Sequence, residues 1–112
     1  MWICLNNAFF SVVQSEEPDT LSVRARRKGD LERHFPGHEV LALPGRDYAF
    51  RAFIPREVVA QTLSELVRGI AYGNFKGSVS NPDLHDAYAD VWAVMAALDA
   101  RGGAYGRKAR YE

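Results

Sequence analysis

Apolar and polar positions alternate in short segments through the first half of the chain and recur at helical spacing in the second. Residues 8–14 (AFFSVVQ) are rich in aromatic and β-branched types and predict a strand. The cluster SEEPDT at 15–20 is turn chemistry, with Pro18 followed by Asp19. Residues 20–26 (TLSVRAR) then alternate, with Leu21, Val23 and Ala25 on one side and Ser22, Arg24 and Arg26 on the other. Two strands across a short polar turn predict a hairpin. A short helix is expected over 30–35 (DLERHF), with Asp30 as its N-cap and Pro36-Gly37 as its stop. A strand at 38–43 (HEVLAL), a turn at Pro44-Gly45-Arg46-Asp47 and a further strand at 48–54 (YAFRAFI) follow. In the last of these, Tyr48, Phe50, Ala52 and Ile54 share one face, and Ala49, Arg51 and Phe53 the other.

The helical half begins at Pro55, which suits a first helical position because its missing N–H costs nothing there. Val59, Leu63, Leu66, Val67 and Ile70 then form one apolar stripe, ended by Gly69 and Gly73. A loop from Tyr72 to Ser80 precedes Asn81-Pro82-Asp83, an N-cap, a proline and an acid near the positive end of the helix dipole. Leu84, Tyr88, Val91, Met95 and Leu98 form the stripe of this last helix, with Trp92 beside it and Gly102-Gly103 as its stop. The order is ββαββαα. It predicts an α+β fold: a four-stranded, mainly antiparallel sheet with helices on one face, of the ferredoxin-like or a related plait type. Residues 1–101 are expected to form a single domain, and 102–112 a basic C-terminal tail.

Composition adds class and compartment. The 112 residues are 47% hydrophobic and 25% charged, as expected of a globular domain. Lys plus Arg and Asp plus Glu each number 14, so no overall field steers the chain to nucleic acid or membrane. The charge is segregated nonetheless: residues 24–33 hold five basic and two acidic side chains, whereas 82–99 hold four Asp and no Lys or Arg. Cys4 is the only cysteine, and MWICLNNAFF has no basic n-region. Together they predict a cytoplasmic protein without a disulfide or signal peptide.

Candidate chemistry lies mainly in cations and aromatics. Arg24, Arg26, Arg51 and Phe53 are expected on the sheet face away from the helices, an arrangement that suits single-stranded nucleic acid or an ordinary wet surface. Arg27 and Lys28 extend the basic run beside them, and Tyr72, Phe75 and Lys76 form an aromatic loop able to anchor a partner. Asp83, Asp86 and Asp90 share a helical face near His85, the weak outline of a metal site. No Walker loop, nucleophile elbow, CxxC pair or HExxH is present, so no catalytic residue, metal ligand or cofactor is assigned.

Several phrases together carry a family resemblance: MW with FFSVVQ, LSVRARRKGDLERHFP, DYAFRAFIPREVVA, and YGNFKGSV followed by HDAYADVWAVM. They resemble a family of small uncharacterised proteins of bacteria and their phages or prophages, over the chain up to about Leu98. The resemblance implies an accessory protein without an assigned activity. With the absent enzyme motifs it leads to the expectation of a non-enzymatic protein-interaction module, such as a phage-encoded modulator of a host complex of the anti-CRISPR kind. The alternatives are a nucleic-acid-binding domain using the sheet arginines and a small metal-dependent hydrolase. Another protein is the expected partner, nucleic acid the alternative, and no membrane is implied.

Overall fold

The computed structural model describes residues 1–103. The strands are β1 (Trp2–Cys4), β2 (Phe9–Gln14), β3 (Thr20–Ala25), β4 (Leu41–Ala42) and β5 (Phe50–Pro55). The helices are α1 (Asp30–His34), α2 (Arg56–Arg68) and α3 (Pro82–Gly103), with a 3-10 turn at Lys76–Ser78. The class is α+β, with one antiparallel sheet in the order β1-β2-β3-β5-β4. The expected four strands are therefore five among the described residues. The addition is β1, which folds back on β2 through Asn6 and Asn7, with the Leu5 N–H donating to the Ala8 carbonyl at 2.8 Å. The turn is anchored from α1, where Arg33 Nη1 donates to the Asn7 carbonyl at 2.9 Å and His34 Nε2 lies 2.7 Å from Asn7 Oδ1.

The β2–β3 hairpin follows its sequence pattern. The Ser15 hydroxyl lies 2.7 Å from the Thr20 carbonyl and closes the turn, and Val12 faces Val23 across the ladder. Register carries the same parity into β5, where Val23 faces Ala52 and Leu21 faces Ile54. One sheet face thus gathers Phe10, Val12, Val23, Ala25, Ala52 and Ile54, all buried. Leu31 of α1, Phe35 just after it and Val59 of α2 complete this core. Since β3 and β4 both run antiparallel to β5 and flank it, they are parallel to each other, with α1 in the connection between them.

Three local expectations change. Asp30 does not cap α1; Gly29 occupies that position at φ 94°, and Asp30 is 1% exposed inside the first turn. There its carboxylate accepts from Arg27 Nη2 (3.0 Å), Arg33 Nη1 (3.0 Å) and the Phe9 backbone N–H (3.3 Å). Tying α1 to β2 gives the carboxylate more partners than a cap would. The 38–43 strand shortens to Leu41–Ala42, the extent that finds partners on β5. Pro55 ends β5 opposite Thr20 and serves as N-cap of α2, so the helix starts at Arg56.

The described chain forms two compact units, divided after Gly73. In the second, the Asn81 side-chain oxygen caps α3 by accepting from the Leu84 N–H at 2.9 Å, as expected from the sequence. Phe75 lies against Tyr88 with ring centroids 5.5 Å apart, and Val79, Leu84 and Tyr88 are buried. The expected tail begins within α3 at Gly102-Gly103, and its remainder lies outside the described residues.

Candidate functional site

Sheet register decides which of the expected side chains meet. Trp2, Ser11, Arg24, Arg51 and Leu41 stand in one row across all five strands, on the face away from α1 and α2. Arg24 and Arg51 are therefore directly opposed. Like charges in that position repel, so the pair is a cost to folding unless something offsets it. Their partners are neutral: Arg24 Nη2 donates to Ser11 Oγ at 2.7 Å, and Arg51 Nη2 to the Asp47 carbonyl at 3.3 Å. The Nε atoms of both are buried without an acceptor, each a loss of about 1–3 kcal/mol for a buried donor.

The next row is Val13, Ser22 and Phe53. Ser22 is buried, whereas Val13 is 39% and Phe53 51% exposed, so a small residue lies between two larger apolar ones. The result is an open groove of about 630 Å3, lined by Arg24 and Arg51 as well as this row. Glu16 and Glu17 of the hairpin turn also line it.

Tyr48 sets the arginines from beneath. It is 5% exposed and has φ 54°, a left-handed conformation that a bulky side chain rarely adopts. The guanidinium carbons of Arg24 and Arg26 lie 4.5 and 4.0 Å from its ring centroid, at cation–π distance. Arg26 is held further by Asp47 at 2.9 Å, and that hydrogen bond pushes its guanidinium further up from its ordinary value.

Of the remaining expected site residues in the first unit, none lines this groove. Arg27 is paired with the buried Asp30 and has a structural task, while Lys28 is exposed next to it. Tyr72 is 37% exposed, at the end of the first unit. In the second unit Phe75 packs on Tyr88, and Lys76 Nζ sits 4.5 Å from the Trp92 ring centroid.

The second exposed feature is apolar. Each helical stripe leaves apolar side chains exposed toward its C-terminal end. In α2, Val59 is buried and Leu63 packs partly buried against the core, but Val67 is 65% exposed, as is Ile70 just beyond the helix at 51%. In α3, Leu84 and Tyr88 are buried, yet Val91, Trp92, Val94, Met95 and Leu98 are all exposed. Among the described residues no group of three or more His, Cys, Asp or Glu can hold a metal ion. His85 Nδ1 lies 3.7 Å from Asp86, with the His85 side chain half-buried and that of Asp86 exposed. Partial burial pushes the Cys4 thiol up, the opposite of nucleophile activation. No described helix is long and apolar enough to cross a membrane. Comparison with protein-family models, curated proteins and solved structures finds no match to this chain.

Proposed function

We propose that this protein is a cytoplasmic, non-enzymatic interaction module that docks the second half of α3 into an apolar groove on another protein. The exposed stripe of α3 carries this reading. Val91, Val94, Met95 and Leu98 fall at i, i+3, i+4 and i+7, the spacing of a helix that lies in a groove. Trp92 beside them is 58% exposed and is the residue type most often found as an energetic anchor. Asp90 and Asp99 lie in this stretch of α3, with Arg101 in its last turn and Lys76 Nζ over the Trp92 ring, so the rim around the stripe carries both signs. The role of a modulator of a host complex rests on the sequence resemblance to phage and prophage proteins alone. For the fold we infer kinship with ferredoxin-like plaits. The support is the β3–α1–β4 connection around β5, with β2 in the fourth position and β1 appended.

The test is site-specific photo-crosslinking in the native cell, with benzoylphenylalanine in place of Val94 or, as control, of the exposed Glu57 on α2. The reading expects one protein crosslinked through position 94 and not through 57. The purified pair should then associate, and Met95→Asp should weaken it at least about 30-fold. The same adducts from both positions, or a second copy of this chain alone, would contradict it. Nucleic acid on the sheet face is the second reading, favoured by Arg24, Arg51 and Phe53 sharing a groove. Loss of all partners on nuclease treatment would establish it in place of the first.

A further inference from the structure

No ion pair among the described residues accounts for the charge of the Arg24–Arg51 pair. Among the described residues, ion pairs engage Arg26, Arg27, Arg33 and His85, and neither member of this pair. Arg24 is held by the buried Tyr48 ring and the Ser11 hydroxyl, and Arg51 opposite it in register by the Asp47 carbonyl, and none of these supplies a negative charge. Structural arginines elsewhere in this chain are treated differently: Arg27 and Arg33 share the buried Asp30.

We propose that the groove is a binding site for a compact phosphate monoester that carries an aromatic group. Two guanidinium forks match the several acceptor oxygens of a phosphate, and its two negative charges balance both cations; a carboxylate would leave one over. Phe53, on the same face of β5 as Arg51 and half exposed, offers a ring for the aromatic group to lie on. The volume of about 630 Å3 falls within the range of small-ligand sites. Glu16 and Glu17 of the hairpin turn line the far end of the same groove and repel any anion that reaches them, so a compact phosphate held on the arginine row meets less of this repulsion than a strand running the length of the groove. The compact ligand is thus favoured over a nucleic-acid strand. This proposal uses different residues from the docking of α3 and stands independently of it.

The experiment is an amide-resonance titration of the full chain with phenyl phosphate, inorganic phosphate, phenol and a short oligothymidylate. Phenyl phosphate is expected to give saturable shifts at Ser11, Ser22, Arg24, Arg51 and Phe53 with a Kd below about 1 mM. Inorganic phosphate should bind the same residues at least about fivefold more weakly, and phenol should not bind. Arg24→Gln and Arg51→Gln should each weaken phenyl phosphate about tenfold or more, with resonances of the core unchanged. Phe53→Ala should bring it to the level of inorganic phosphate. No saturable shift, or binding indifferent to both glutamine variants, overturns the proposal. Tighter binding of the oligothymidylate than of phenyl phosphate at these residues overturns it in favour of a strand-binding face.

Discussion

Replacing Asp30 by asparagine should cost this small domain a large share of its stability. The carboxylate is 1% exposed and accepts from two arginines and from the Phe9 backbone N–H. Removing one partner of a buried ion pair usually costs about 3–5 kcal/mol, because a charge is left uncompensated. Here the abandoned cations have 34% and 46% of their side chains in solvent and can rehydrate in place. Asparagine also keeps one oxygen for the Phe9 N–H. The expected loss is therefore smaller, about 2–3 kcal/mol, which lowers Tm by roughly 8–12 °C for a domain of this size. Urea unfolding followed by circular dichroism measures it. Arg33→Ala is the internal comparison. It leaves Asp30 with Arg27 and Phe9, and should cost no more than about 1 kcal/mol. An Asp30→Asn loss below about 1 kcal/mol would refute the view that this carboxylate ties α1 to the sheet.

Other consequences are equally accessible. Arg51→Gln relieves the repulsion with Arg24 and should raise stability by about 0.5 kcal/mol at low salt, less at high salt; a loss above about 1 kcal/mol would make Arg51 structural. His34 is pushed below its ordinary pKa, first by burial and then by Arg33, with Asp30 opposing. Its nuclear magnetic resonance titration should therefore fall below that of an unfolded histidine. In that window the unfolded chain binds more protons, so the His34 contribution to stability declines as pH drops below about 6.5. A midpoint at or above the unfolded value would contradict this. Asn81→Ala removes the α3 cap and should cost about 1 kcal/mol in urea unfolding; no change would show the cap to be idle.

What could be read from the chain follows the range of each signal. Side-chain parity placed Arg24, Arg51 and Phe53 on one face, because alternation is a local property. Parity does not supply register, so the direct opposition of Arg24 and Arg51 emerged only when β3 and β5 were paired through the long α1–β4 connection. Asp30 looked like a cap because a cap and a buried carboxylate look alike in their own segment. The cue was the arginine three residues away on either side. β1 was missed because three residues before two asparagines make no period. The α3 stripe was legible as apolar, but periodicity does not say what covers a stripe. Tyr48 read as an ordinary inward strand residue, and nothing in its sequence neighbourhood announced a left-handed backbone.

The central claim is that the second half of α3 is a free apolar face kept for a partner, and not core. Urea unfolding of the Val91→Asp/Met95→Asp double variant tests it most directly. Exposed substitutions of this kind change stability by about 0.5 kcal/mol or less each, so the account predicts a total within about 1 kcal/mol and unchanged helicity. A loss above about 3 kcal/mol, as for charges forced into a packed core, would show that the stripe holds this chain together and is not offered to another.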